Sequence, residues 1–133
     1  MNEFVKNFIK NTQYLINKNM WSTFFYEWYR ECAKVWPAQN IEKELFSILK
    51  QAEISVDWDA RKLVIIKAVE NIIEEVLTNL DAWREDYIPI KYIVSELMTT
   101  MHLTDEKLED CIQAAADKFN LELSDDNKSY NII

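Results

Sequence analysis

A single histidine, His102, stands in this chain, and any serine–histidine or cysteine–histidine apparatus would have to use it. It falls at the end of an apolar-periodic segment, where a cationic side chain suits a helix C-terminus, so a structural or surface role is expected. Carboxylate-bridged di-metal bundles need Glu-x-x-His from two helices. Thr99 stands where the glutamate would be, and no second histidine is present, which excludes that site. Cys32 and Cys111 both lie inside apolar stripes, with no thiol-activating base or cation predicted beside them. They read as small core residues in a reducing compartment. No catalytic residue, metal ligand or cofactor is assigned, and the chain is expected not to be an enzyme.

The remaining chemistry is acidic. Glu106 and Glu109, followed after twelve residues by Glu122 and Asp125, spell E-x-x-E…E-x-x-D. This spelling resembles the Mg²⁺-binding motif of all-α nucleoside triphosphate pyrophosphatases. The resemblance covers twenty residues and implies that these four carboxylates would hold Mg²⁺ on paired helices, as the enzymatic alternative. A second acidic feature is a stripe formed by Glu70, Glu74, Asp81 and Glu85 at offsets of 4, 7 and 4. If one helix carries all four, they lie within about 60° of one another. Like charges at such spacing cost a few tenths of a kcal/mol, so a use for the stripe is expected. Tyr26 and Tyr29 fall beyond the apolar arc of their own helix, beside Arg30. Exposed tyrosine beside arginine is a composition found at interface hot spots.

Composition sets the frame for these side chains. The chain has 133 residues, 49% apolar and 29% charged, and no glycine. Without glycine there is no phosphate-cradling loop, no dinucleotide fingerprint and no nucleophile elbow. Primed hairpin turns are disfavoured. Left-handed helix caps must fall to asparagine, and Asn19, Asn79 and Asn120 sit where such caps are needed. The net charge of −8 is lopsided: residues 1–66 hold nine Lys/Arg and eight Asp/Glu, residues 67–133 six and fifteen. Such a field repels nucleic acid and anionic membrane and attracts a basic protein. No apolar run reaches a membrane span, and Glu3, Asn7, Asn11 and Asn17 interrupt any apolar leader. A cytoplasmic location is therefore expected.

Helical periodicity dominates. Six helices are predicted, near 3–18, 20–35, 41–52, 58–80 (extending toward Glu85), 89–101 and 105–119. Pro37 ends the second helix, Asp57 caps the fourth and Pro89 opens the fifth. Thr104 caps the sixth. The fourth helix is the longest, with Trp58, Ile65, Ile66, Val69, Ile72, Ile73, Val76, Leu77 and Leu80 on its apolar face, and is expected to be central. Leu121-Glu122-Leu123 alternates like one short strand. The fold class is all-α: a single-domain bundle or orthogonal array of about six helices over residues 1–123, with 124–133 frayed.

Small, acidic, glycine-free helical chains resemble in character toxin-immunity proteins and phage-encoded inhibitors. The function expected is a non-catalytic inhibitor of a basic protein, a nucleic-acid-acting toxin or nuclease, bound through Glu70, Glu74, Asp81 and Glu85 or around Tyr26, Tyr29 and Arg30. No direct contact with nucleic acid or membrane is expected. The structural alternative is an adaptor subunit, dimeric through the Trp/Tyr-rich second helix.

Overall fold

A computed structural model describes residues 3–34, 41–101, 103 and 108–132. Helix occupies 71% of it, in α1 (Glu3–Asn17), α2 (Trp21–Cys32), α3 (Ile41–Gln51), α4 (Trp58–Thr78), α5 (Leu80–Trp83), α6 (Ile90–Met101) and α7 (Glu109–Lys118). Three short strands, β1 (Tyr87–Pro89), β2 (Glu122–Leu123) and β3 (Ser129–Asn131), form one antiparallel sheet in the order β1-β3-β2. The all-α class follows from this census, and α4 is the long helix expected. No helix among the described residues is long and apolar enough to cross a membrane. Thr104, His102 and Pro37 lie outside the described residues.

The chain groups into two compact units. Unit 1 is residues 1–64 with 100–104, and unit 2 is residues 65–99 with 105–133, so the boundary falls inside α4.

Unit 1 is held by aromatic packing. The α2 stripe read from 100° periodicity is buried: Trp21, Phe24, Phe25, Trp28 and Cys32. Helix α1 brings Phe8 to this cluster. Phe8 meets Phe24 edge-to-face at 5.2 Å and Trp28 at 5.0 Å, and Phe24 meets Phe25 at 5.2 Å and 86°. Edge-to-face contact lets the positive ring edge meet a negative face, beyond the gain from burial alone. The Trp28 Nε1–H is buried without a partner. Helix α3 adds Ile41, Leu45 and Leu49. At the start of α4, Asp57 Oδ1 accepts from Ala60 N at 3.0 Å, the cap expected. Trp58, expected on the apolar face of α4, is instead 51% exposed and rests edge-to-face on Phe46 at 4.7 Å. It stands in the first turn, where the helix has barely begun.

Unit 2 is aliphatic. Ile65, Val69, Ile73 and Val76 of α4, Ile93 and Leu97 of α6, and Ile112 and Ala115 of α7 are buried. Leu80, expected inward, is exposed, as is Met98 of α6. Within the tail expected to be frayed, Ser129–Asn131 form β3. Tyr130 pairs with Ile88 and Leu123, and both Tyr130 and Ile88 are buried. Tyr130 also donates its hydroxyl to Gln113 Oε1 at 2.8 Å. The β2–β3 connection works without glycine. Asn127 takes φ 59°, while Asp126 Oδ1 accepts from Ser124 Oγ at 2.5 Å and Lys128 N at 3.0 Å. An Asx side chain thus does the work of a primed turn. Pro89 closes β1 rather than opening the helix, and the N–H of Ile90 donates to Lys128 O at 2.9 Å.

Helix ends confirm asparagine as a glycine substitute at two of three places. Asn19 and Asn120 adopt φ 55° and 57° and close Schellman motifs, with Met20 N on Leu15 O and Leu121 N on Ala116 O. Asn79 does not: its φ is −125°, and it begins α5. Its side-chain Nδ2 donates to Glu75 O at 3.0 Å, satisfying a carbonyl that the end of α4 leaves open. Glu53 and Arg84 take the other left-handed positions.

Candidate functional site

The expected acidic stripe depends on one uninterrupted helix from Glu70 to Glu85. The break at Asn79 removes that condition. Glu70 and Glu74 are on α4, Asp81 is on the four-residue α5, and Glu85 follows Arg84, whose φ of 65° turns the chain. The four carboxylates therefore do not form one helical row. Glu70 is also committed within unit 2. Its side chain is only 13% exposed, and Oε1 accepts from Lys118 Nζ at 2.7 Å and faces Lys67 Nζ at 3.9 Å. Glu74, Glu75, Asp81, Glu85 and Asp86 are exposed. What survives is an acidic surface made by α4, α5 and the turn into β1.

The tyrosine–arginine group separates as well. Tyr26 is 60% exposed. Arg30, four residues further along α2, is exposed too, with Nη1 3.7 Å from Glu27 of its own helix. Tyr29, expected at the surface, is buried. It lies just past the edge of the α2 arc, and neighbouring elements give its hydroxyl partners, which a buried tyrosine requires. The hydroxyl donates to Glu42 Oε2. Arg61 closes the ring, Nε donating to Tyr29 Oη at 2.9 Å and Nη2 to Glu42 Oε1 at 2.6 Å. Helices α2, α3 and α4 each contribute one member, all within unit 1. The Arg61 guanidinium also lies over the Phe46 ring, 5.5 Å from its centroid.

The electrostatics of this cluster follow from burial. Removal from water pushes the Tyr29 hydroxyl well above its ordinary value; the Glu42 charge adds to this and Arg61 opposes it. Burial works against the Arg61 charge, and Tyr29 and Glu42 outweigh it, so the guanidinium is held protonated more firmly than usual. Burial first, then Glu42 and Glu31, push the Cys32 thiol up, the opposite of what a nucleophile needs. Through these three hydrogen bonds the cluster ties three helices together. Neither Glu42 nor Arg61 was singled out by sequence. Their separations from Tyr29 follow no helical period; the one available signal was a tyrosine at the rim of an apolar stripe.

The E-x-x-E…E-x-x-D spelling is not carried by paired helices. Glu109 opens α7, Glu122 lies on β2 and Asp125 in the turn after it, and Glu106 is outside the described residues. Among the described residues no group of three or more His, Cys, Asp or Glu is placed to hold a metal ion. Two concavities flank these features. One, of about 390 Å³, runs between α1 and α2 and is lined by Asn7, Asn11, Tyr14, Glu27 and Glu31 among others. The other, about 160 Å³, is a notch in unit 2 lined by Glu75, Val76, Asn79, Ala82, Trp83 and Tyr92.

No protein-family model matches this chain, and no curated protein or solved structure does either.

Proposed function

We propose that this chain is a non-catalytic inhibitor that binds a basic protein, a nucleic-acid-acting toxin or enzyme, through the acidic surface of unit 2. One observation carries the reading. Unit 2 holds six Lys/Arg against fifteen Asp/Glu, while unit 1 holds nine against eight, so the whole negative excess belongs to one compact unit. Exposed Glu74, Glu75, Asp81, Glu85 and Asp86 supply much of it on neighbouring elements. A field of this sign attracts a cationic surface, speeds encounter and disfavours nucleic acid, the natural ligand of such a partner. Glu70 is not part of the contact surface in this reading, because two lysines of unit 2 already engage it.

The test is a charge reversal chosen from exposed groups. Glu74→Lys with Asp81→Lys should leave helix content and melting temperature near wild type, since such surface changes usually cost under about 0.5 kcal/mol. Tagged wild type and double variant are used to recover partners from the native host, and association of the recovered basic protein is then timed. Wild-type association should slow steeply with added salt, and the double reversal should slow it about tenfold at low salt. Equal rates and equal salt response for both baits would overturn the proposal.

A further inference from the structure

We infer that the notch in unit 2 lined by Trp83 and Tyr92 receives an arginine side chain of the basic partner. This deepens, and rests on, the acidic-surface reading above. The notch is built by α4, α5 and α6. Trp83 and Tyr92 meet edge-to-face, centroids 4.7 Å apart at 65°, and make two aromatic walls. The indole is fixed in place, because its Nε1–H donates to Tyr87 O at 2.8 Å. Val76 and Ala82 add apolar surface, and Glu75 and Asn79 add polar groups. Among the described residues no cation pairs with the Glu75 carboxylate. The Asn79 amide nitrogen is turned to Glu75 O and Thr78 Oγ1, leaving its amide oxygen as an acceptor.

The size and chemistry select the occupant. At about 160 Å³ the notch is smaller than small-molecule sites, which run about 300–1,000 Å³, and suits one side-chain head. An aromatic wall beside a carboxylate favours a cation, which gains from the ring face and the charge together. Burial, then Glu96 and Glu75, push the Tyr92 hydroxyl above its ordinary value, so two carboxylates act at this point. Between the basic side chains, arginine fits better than lysine: its plane stacks on indole and its fork offers donors to both Glu75 and Asn79.

The probe is a capped hexa-arginine peptide, titrated at low salt into ¹⁵N-labelled full-length protein. Its uncharged counterpart, capped hexa-citrulline, is the control. Trp83→Phe assigns the Trp83 indole resonance among the five tryptophans. That resonance should shift and saturate with hexa-arginine and stay still with hexa-citrulline. Glu75→Gln should weaken binding about fivefold, while Glu122→Gln, the same charge lost from the exposed strand β2, should change it less than about twofold. Both are surface substitutions, and amide spectra will show that the fold is kept. If hexa-arginine binds with strong salt dependence but leaves Trp83 unmoved, or if both variants weaken it equally, the notch assignment is overturned and the acidic-surface reading stands. If hexa-arginine does not bind at all, both fall.

Discussion

The two units of this chain handle charge in opposite ways. Unit 1 is nearly neutral and takes an ion pair into its interior; unit 2 carries a net −9, and most of its described carboxylates are exposed. Their cores differ in the same sense. Unit 1 packs edge-to-face aromatics from α1 and α2, whereas the buried side chains of unit 2 are mostly aliphatic, with Tyr130 the one buried aromatic among its described residues. The difference teaches where each charge can be read for use. A charge removed from water must be matched by a partner, so Glu42, Tyr29 and Arg61 are explained by folding alone. A charge left in water needs no partner, and an exposed pair such as Glu70 with Lys118 contributes little. The surplus of one sign in unit 2 is the observation on which the proposed binding surface rests.

The largest effect that tests this contrast comes from removing one acid from each unit. Glu42→Ala strands Arg61 against a tyrosine hydroxyl and should cost about 3 kcal/mol, the low end for a broken buried pair, since 21% of the Arg61 side chain still reaches water. Glu70→Ala releases two lysines into solvent and should cost about 1 kcal/mol or less. Urea midpoints at unchanged m-value measure both. Similar losses would mean that burial does not set the Glu42–Arg61 pair of unit 1 apart.

The next effect is alkaline. Tyr29 and Cys32, both in unit 1, have values raised by burial. A raised value means the folded state holds a proton the unfolded chain has already released. Their stabilising contribution is therefore complete below the unfolded values, about 8.5 for cysteine and about 10 for tyrosine, and is lost as pH rises beyond them. The urea midpoint should fall between about pH 8 and pH 10.5, and Tyr29→Phe with Cys32→Ala should flatten that fall. An unchanged slope in the double variant would place the alkaline sensitivity elsewhere, with Tyr92 and Tyr130 of unit 2 next in line.

Sequence carried the helices well and the site poorly, for definable reasons. Periodicity finds one face of one element, so the α2 stripe, the Asp57 cap and the length of α4 were all legible. The acidic row required α4 to continue through Asn79. The break there looks like an ordinary polar residue in sequence, and it scatters Glu70, Glu74, Asp81 and Glu85 over three local environments. The ring of Tyr29, Glu42 and Arg61 joins three helices, and no one-dimensional period reports such a meeting. The tail misled for a related reason. Asp125, Asp126, Asn127 and Lys128 have the composition of a frayed end, yet they form the loop that turns Tyr130 back onto Ile88. The Trp83–Tyr92 notch needs a short helix, a turn and α6 together, and nothing in the spacing of those two residues announces it.

The smallest effect separates composition from charge. A chain without glycine must place other residues in left-handed conformations, and Glu53 of unit 1 and Arg84 of unit 2 do so at φ 57° and 65°. Glu53 closes α3 with Ile54 N on Leu49 O, and Arg84 closes α5 with its own N on Leu80 O, each at a place where glycine is the usual choice. A β-carbon there costs about 1 kcal/mol or more, and glycine's extra freedom in the unfolded chain cancels part of the relief. Glu53→Gly and Arg84→Gly should each stabilise by roughly 0.5 kcal/mol at high salt. At low salt the two should part. Arg84→Gly deepens the excess negative charge of unit 2, and the added self-repulsion should erase its gain; Glu53→Gly only moves the nearly neutral unit 1 by one charge and should keep most of its gain. Midpoints measured for both variants at about 20 mM and 500 mM salt decide it, given Debye lengths of roughly 20 Å and 4 Å. Equal salt responses would show that the negative excess of unit 2 exerts no measurable strain on its own fold.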